Sequence, residues 1–267
     1  MMHLSLLCPA SLFAILMGAV SVTGAIAPAA QSPIEPHKLA AGAGAPGVLP
    51  DLSLVTQQII ARTNAFRRQE NRLPVEANPQ LSEAATYFAD YMGGTSQYGH
   101  EADGGTPASR ADRYGYDHCI IAENIAYQYS STGFTPEALA SGLVEGWKRS
   151  PGHRRNMLDP DVSATGVAVA RSGKTGYYYA VQMFGRPKAS TVAFAIANRS
   201  GTAVAYKLDD QQFSLPPRST GSHERCRPAQ STLLPSGSAV EAPPIRPENG
   251  DRFVVVRENG SLAMRKE

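Results

Sequence analysis

The chain has 267 residues, of which 42% are hydrophobic, which is enough for one or two globular domains. Its 25 basic and 23 acidic residues leave a formal charge of +2. Because no basic stripe with interleaved aromatic residues stands out, the sequence argues against nucleic acid as a partner. The 24 glycines and 20 prolines indicate many turns and a stretch of linker.

The N-terminus has the pattern of an export signal. An apolar run extends from Leu4 to Ile26 and ends in small residues suited to cleavage, so residues 1–25 are predicted to be a signal peptide. This run is also long enough, at about 20 residues, to span a bilayer if it is not cleaved. Residues 26–50 are rich in Ala, Pro and Gly and are predicted to be a disordered linker. We therefore expect a secreted or periplasmic protein that contacts a membrane only through an uncleaved leader, if at all.

Helical spacing of apolar residues, bounded by capping residues, predicts four helices after the linker. Asp51 is a suitable N-cap for the first helix, and Gly93-Gly94 is the predicted end of the second. The predicted helices run from Leu52 to about Arg68, from about Ser82 to Met92, from Thr106-Pro107 to near Gly115, and from Thr135-Pro136 to just before Pro151.

Strand patterns dominate the second half of the chain. Residues 166–170 and 177–184 alternate well and are joined by a predicted hairpin loop, whereas residues 119–127 are either a third strand or an irregular segment. Helices followed by paired strands predict an α+β domain over residues 51–187. Residues 190–267 contain short strand-like runs at 191–197, 203–207, 211–215 and 253–257 between turn residues. These runs predict a small β-rich domain with a loose Pro-rich loop at 235–250.

The three cysteines divide between the leader and the mature chain. Cys8 lies in the predicted signal peptide, which leaves Cys119 and Cys226 as an even pair. Export would place this pair in a compartment that permits disulfides. Two interpretations are open: a bridge that ties the middle of the chain to its C-terminal part, or two separate buried thiols.

Three residues are candidates for a polar site. His100 lies in a predicted loop after a helix, where an imidazole can serve as a metal ligand, a general base or a hydrogen-bonded loop residue. Glu123 is flanked by isoleucines and alanine, so it either has a buried partner such as a histidine or points to solvent from an edge strand. His153 follows a Pro-Gly turn beside Arg154 and Arg155, whose charge would lower the histidine pKa and favour the neutral imidazole that binds metal.

Several known site classes are missing from the sequence. His100-Glu101-Ala102-Asp103-Gly104 lacks the second histidine of the helical zinc-protease motif. Neither a Gly-x-Ser-x-Gly elbow nor a phosphate-binding loop ending in Gly-Lys-Ser/Thr occurs. The sequence therefore contains no complete nucleophile, base and acid set.

The order of these pieces resembles a known family. It consists of Asn64-Ala-Phe-Arg67, Gly99-His100, Gly104-Gly105, Arg110, Gly115-Tyr116, Ala122-Glu123-Asn124-Ile125, Trp147, Ser150-Pro-Gly-His153-Arg-Arg-Asn156 and Gly166-Val-Ala. It is similar to the bacterial form of the CAP superfamily, which comprises cysteine-rich secretory proteins, antigen 5 and pathogenesis-related proteins. The resemblance covers about residues 52–187, half of the chain.

This resemblance implies a fold and a cleft. The fold is an α-β-α sandwich with a central antiparallel sheet, and the cleft holds two histidines and two glutamates that bind zinc or another divalent ion in several members. His100 and His153 match the two cleft histidines, the implied metal ligands, and Glu123 matches one acid. The second acid of the animal and plant members falls on Ser150 here. Glu145 is a candidate substitute, although it would project from a different helix face.

Three functions follow from this comparison. The first is a non-catalytic exported module that binds a lipid, a cell-wall component or a protein, with a divalent ion such as zinc that the fold does not require. The second is a zinc-dependent hydrolase of peptide or cell-wall substrates. The third is an interaction protein whose C-terminal β-domain is adhesive. The sequence favours the first, and whether the protein is an enzyme stays open.

Overall fold

The computed structural model describes residues 49–235 and 243–267. The predicted signal peptide, most of the predicted linker and part of the predicted C-terminal loop lie outside these ranges. Over the described ranges, no helix combines the length and the apolar character that a membrane crossing requires.

Five helices occur in the described part of the chain, and they begin at residues that cap helices well. Asp51, Thr106 and Thr135 each accept a hydrogen bond from a backbone N–H of the first turn. The helices are α1 (Leu52–Gln69), α2 (Pro79–Thr95), α3 (Pro107–Arg113), α4 (Pro136–Arg149) and α5 (Pro151–Leu158).

The second predicted helix is wrong at both of its ends. Asn78 caps α2 and Pro79 occupies its first turn, so the helix begins three residues before Ser82. Gly93 and Gly94 lie inside the helix, which ends at Ser96 in the left-handed conformation. Gly93 is buried against Ala170 of the sheet, and this packing carries the helix past two residues that would otherwise end it.

The central sheet contains four strands in the order β1-β3-β4-β2. All of its pairs are antiparallel except the short parallel pair of β1 with β3. Residues 119–127 are therefore part of a strand, and the predicted hairpin between β3 and β4 is confirmed. The strands are β1 (Glu76–Ala77), β2 (His118–Gln128), β3 (Ala164–Arg171) and β4 (Tyr178–Pro187).

Alternation along β3 and β4 divides the core into two layers. Val167, Val169 and Phe184 face α1, α4 and α5, where they join Trp147 in one cluster. The opposite face carries small residues, so α2 and α3 pack closely against it. The α+β class and the α-β-α arrangement that were expected from the sequence are confirmed.

One glycine permits the close approach of α2 to the sheet. A Cβ atom on Gly166 would lie 2.1 Å from the backbone carbon of Leu81. Because backbone cannot move as a side-chain tip does, only glycine is compatible with this contact.

Residues beyond the central sheet form two further sheets, ordered β11-β10-β5-β8 and β7-β6-β9, around a separate apolar cluster. The predicted runs at 191–197, 203–207, 211–215 and 253–257 correspond to strands, whereas β8, β9 and β11 were not predicted. The strands are β5 (Val192–Asn198), β6 (Val204–Leu208), β7 (Gln211–Leu215), β8 (Thr220–Arg225), β9 (Ser231–Leu233), β10 (Arg252–Glu258) and β11 (Ser261–Lys266).

Two contacts tie the segment after β8 to the first part of the chain. Cys119 and Cys226 form a disulfide, which resolves the two interpretations left open by the sequence. Next to it, Arg227 pairs with both Asp159 and Asp161 at 2.7 and 2.6 Å. Burial alone would raise the pKa of Asp159, but the hydrogen bonds and charge of Arg227 hold it below its usual value.

Candidate functional site

Glu123 lies at the centre of a buried polar cluster on β2. Its side chain is 0% exposed, and its carboxylate accepts hydrogen bonds from Arg110 at 3.0 and 2.9 Å. Nδ1 of His100 lies 2.8 Å from the same carboxylate. A buried carboxylate needs such partners, because an unpaired charge is strongly destabilising in a medium of low dielectric constant.

Arg110, on α3, joins the segments that build this cluster. Its guanidinium donates to Asp103, whose side chain is 4% exposed, and to the backbone carbonyl of His100. The guanidinium also lies 3.6 Å from the ring centroid of Phe88 on α2. A single cation therefore compensates two buried carboxylates and fixes the loop that carries His100.

His153, in the first turn of α5, lies opposite this cluster. Its ring centroid is 6.4 Å from that of His100, and the residue is 2% exposed. Neither ring nitrogen has a hydrogen-bond partner among the described residues. Burial, together with the neighbouring His100, lowers the pKa of His153 to about 4, so the ring is neutral at physiological pH.

The cause of this low pKa differs from the sequence prediction. Arg154 and Arg155 were expected to depress the pKa of His153 by their charge. In the structure, Arg154 pairs with Glu70 at 2.7 Å, and burial is the largest cause of the shift. The predicted direction is correct, but the predicted cause is wrong.

Side chains from other elements form hydrogen bonds to the free edge of β2. These bonds connect β2, which carries Glu123, to α5, which carries His153. β2 is an edge strand, so its outward carbonyls need partners outside the sheet. The carbonyl of Ile125 accepts from Trp147 Nε1 and from the Tyr98 hydroxyl, both at 3.1 Å. Asn156 donates to the carbonyl of Glu123 and to Asn124, which in turn donates to the carbonyl of His153. The Asn124–Asn156 pair thus fixes α5 against β2.

The fold agrees with a comparison of the chain with known families. Residues 60–184 match the family model described as "CAP: Cysteine-rich secretory protein family". The chain contains a CAP domain. The match runs from within α1 into β4, and it includes His100, Glu123 and His153.

Two curated bacterial proteins are similar to part of this chain. Uncharacterized protein YkwD of Bacillus subtilis is 27% identical over 146 residues, which cover 54% of this chain and 52% of that protein. Uncharacterized membrane protein YlbC of the same organism is 28% identical over 116 residues, 43% of this chain and 31% of that protein. This chain therefore spans about half or less of the curated relatives that it matches.

One solved structure with a related sequence is an extracellular protein containing an SCP domain from Bacillus anthracis. It is 28% identical to this chain, with a TM-score of 0.41, and the match covers 49% of this chain and 40% of that one.

Glu145, the candidate second acid of the CAP domain, lies in a different environment. It is half-exposed on α4 and pairs with Lys148 at 2.7 Å. None of its described hydrogen bonds or ion pairs reaches His100, Glu123 or His153. Ser150, where the resemblance predicted the second acid, joins α4 to α5 as the C-cap of one and the N-cap of the other.

The described residues contain no group of three or more His, Cys, Asp or Glu side chains arranged to hold a metal ion. Both carboxylate oxygens of Glu123 accept from Arg110, so this residue supports His100 from behind. The CAP domain therefore presents two histidine rings as nitrogen donors, one oriented by a carboxylate and one buried.

Sequence reasoning missed the polar residues that organise the site. Arg110 and Asp103 were quoted only as parts of a motif or helix, and Asn124 and Asn156 received no role. The signal available in the sequence was limited: Thr106-Pro107 places Arg110 in a short helix but does not reveal its partners.

Proposed function

We propose that this protein is an exported, non-catalytic binding module whose CAP domain receives a ligand between His100 and His153. The observation that carries the proposal is the buried ring of His153, whose two nitrogens have no hydrogen-bond partner among the described residues. Buried polar atoms in folded proteins are nearly always paired, so an orphaned pair in a cleft indicates a missing partner. Such a partner is a polar ligand atom or a metal ion.

The two histidines fit a divalent ion such as zinc. Imidazole nitrogen is a preferred zinc donor, and a metal-binding histidine usually gives its other ring nitrogen to a carboxylate, as His100 gives Nδ1 to Glu123. His153 is already neutral above a pH of about 4, so protons would not compete with an ion at physiological pH. A bound zinc ion would supply Lewis acidity toward an oxygen atom of the ligand.

The ligand count supports binding rather than catalysis. Catalytic zinc sites generally use three protein ligands and keep one position for water. Here neither acid is placed as a third ligand, because Glu145 is paired with Lys148 on another face and Glu123 is held by Arg110. Both carboxylate oxygens of Glu123 accept hydrogen bonds from Arg110, so neither oxygen is placed to act as a general base toward a ligand.

Export is supported by the disulfide between Cys119 and Cys226. Structural disulfides form and persist in oxidising compartments and are rare in the cytosol. The disulfide closes a loop of 107 residues, which in the loop-entropy account stabilises a fold by roughly 5 kcal/mol.

One observation favours the alternative, a zinc-dependent hydrolase of peptide or cell-wall substrates. The pairing of His100 with Glu123 is the carboxylate–histidine arrangement found behind catalytic zinc ions. Turnover of peptide or peptidoglycan panels with zinc supplied, lost in His153→Ala, would establish that alternative.

Zinc titration by calorimetry tests the proposal. We expect one zinc ion per wild-type chain, and at least tenfold weaker binding by His100→Ala and by His153→Ala. His118→Ala is the matched control, because His118 is partly exposed beside Asp112 outside the cleft. Unchanged zinc affinity in both cleft variants would remove the metal from the proposal.

A further inference from the structure

A cavity of the CAP domain lies away from His100 and His153. It has a volume of about 340 Å³ and lies between the turn after β2, residues 129–133, and the β3–β4 hairpin, residues 171–176. We call it the loop pocket. Its wall carries the hydroxyl groups of Ser130, Ser131, Thr132 and Thr175 and the cations of Arg171 and Lys174. No carboxylate of the described residues lines it.

Both turns of the loop pocket are held in place by their own hydrogen bonds. Ser172 is 0% exposed, and its hydroxyl accepts from the backbone N–H groups of Lys174 and Thr175. On the opposite side, the hydroxyl of Ser130 accepts from the N–H of Thr132. The pocket is therefore formed before a ligand arrives, which reduces the entropic cost of binding.

A guanidinium and an aromatic ring meet at one point of the pocket. Gly176 has a φ of +74°, and a Cβ atom there would lie 3.5 Å from the Arg171 guanidinium and 3.5 Å from the Tyr129 ring. The Tyr129 side chain is 49% exposed although it is large and aromatic. A ligand at this point would meet a positive charge and a ring together.

We infer that the loop pocket binds an acidic sugar unit of a glycan. The carboxylate of such a sugar matches Arg171 and Lys174, which form charge-assisted hydrogen bonds to planar acids. Its hydroxyl groups match the four hydroxyl side chains, and its apolar face matches the ring of Tyr129.

A row of tyrosines extends from the loop pocket toward the histidine cleft. Tyr129 lies 5.2 Å from Tyr177, Tyr177 lies 5.5 Å from Tyr127, and Tyr127 lies 4.8 Å from Tyr98, measured between ring centroids. Tyr98 is two residues before His100. A sugar unit that adjoins the one in the loop pocket would meet Tyr177 next to Tyr129, so the inferred ligand is a chain rather than a single sugar. The inference goes beyond the proposed function and does not depend on zinc.

The test is a comparison of an oligogalacturonate with a neutral maltooligosaccharide of the same length. Affinities for the full-length protein would be measured by calorimetry. We expect the acidic oligomer to bind more tightly by at least tenfold, and its affinity to fall as ionic strength rises. Arg171→Gln with Lys174→Gln should weaken it by about tenfold or more, since each removed contact is charge-assisted. Tyr129→Ala should weaken both oligomers.

One control matches the charge change, and a second separates this inference from zinc binding. Arg68→Gln with Lys188→Gln removes an arginine and a lysine from exposed positions outside the pocket and should leave affinity unchanged. His153→Ala should likewise keep oligogalacturonate binding at the loop pocket while it loses zinc, so the two proposals fail separately. All of these pocket substitutions are at exposed positions, and the thermal midpoint would verify folding.

Three outcomes would overturn the inference. The first is wild-type affinity in the double loop-pocket variant. The second is equal affinity for the neutral and acidic oligomers. The third is binding of inorganic phosphate as tight as that of the oligogalacturonate, which would show a small-anion site without sugar recognition.

Discussion

The cleft between His100 and His153 has two sides, the β2 wall with Glu123 and the α5 wall with His153. The two walls differ in whether their buried polar groups have hydrogen-bond partners. On the β2 wall, Glu123 is fully buried and every carboxylate oxygen has a partner, because Arg110 and His100 converge on it. On the α5 wall, His153 is equally buried, yet neither ring nitrogen has a partner among the described residues. The polar groups of the β2 wall are therefore paired within the protein, whereas the ring nitrogens of the α5 wall have no partner among the described residues.

Removal of the cation from the β2 wall should have the largest effect. Arg110→Met leaves Asp103 and Glu123 buried without the arginine charge that they share, which should lower the free energy of unfolding by about 3–5 kcal/mol. Urea denaturation measures this directly. Arg113→Met is the control on the same helix, where an exposed arginine lies over Tyr87, and we expect a loss of at most about 1 kcal/mol. Equal losses in both variants would show that the β2 wall is not organised by Arg110.

Acid should destabilise the protein because the unfolded chain protonates His153 more readily than the folded protein does. The pKa of His153 is about 4 in the folded protein and 6.5 in the unfolded chain. Between these values the unfolded chain binds a proton that the folded protein does not, so stability rises with pH and is fully present above 6.5. As pH falls from 6.5 to 4, the His153 contribution should decrease by about 3 kcal/mol in total.

The pH effect is isolated by a difference between two proteins. Denaturation of wild type and of His153→Gln across this range cancels the carboxylates that both share. The difference should slope by about 1.4 kcal/mol per pH unit. A flat difference would mean that His153 is protonated as easily in the folded state as in the unfolded state.

Removal of the hydrogen bonds between β2 and α5 should have a smaller effect on the free energy of unfolding. Asn156→Ala removes donors to the Glu123 carbonyl and to Asn124, which should destabilise the fold by about 1–2 kcal/mol. Because Asn124 holds the carbonyl of His153, zinc affinity should fall as well, even though Asn156 contacts no proposed ligand. Calorimetry and urea denaturation on one preparation measure both. A stability loss with unchanged zinc affinity would show that zinc binding does not depend on how Asn156 positions α5.

The smallest expected change in stability distinguishes the α5 wall from the β2 wall most clearly. His153→Leu replaces an unpartnered buried imidazole by an apolar side chain of similar size. At pH 7 this should leave the free energy of unfolding unchanged or raise it by up to about 1 kcal/mol. The measurement is again a urea midpoint at constant slope. A loss of more than about 2 kcal/mol would mean that His153 makes stabilising polar contacts and belongs with the β2 wall.

Local signals in the sequence predicted the fold well. Asp51, Thr106-Pro107 and Thr135-Pro136 satisfy orphan N–H groups of the first helical turn, so three helix starts follow from neighbouring residues alone. Gly93-Gly94 misled the prediction of α2, because tertiary packing on Ala170 outweighs a local stop signal. β8 was missed since its exposure alternates over polar residues, and its pairing with β5 is set by the folded sheet.

The site was less accessible to sequence reasoning. His100, Glu123 and His153 stood out because each is an ionisable residue in an unusual neighbourhood. The role of Arg110 depends on partners from the loop at Asp103 and from β2, which no local pattern displays. The pKa of His153 likewise depends on burial by distant segments rather than on its arginine neighbours.

The most direct test of the two-wall account is the nitrogen-15 NMR spectrum of the His153 ring at pH 6, recorded before and after zinc addition. The account predicts a neutral imidazole at the start, since its pKa is about 4, and a large shift of one ring nitrogen on zinc addition. A protonated ring at pH 6, or ring nitrogens that zinc leaves unmoved while it shifts other histidines, would contradict it.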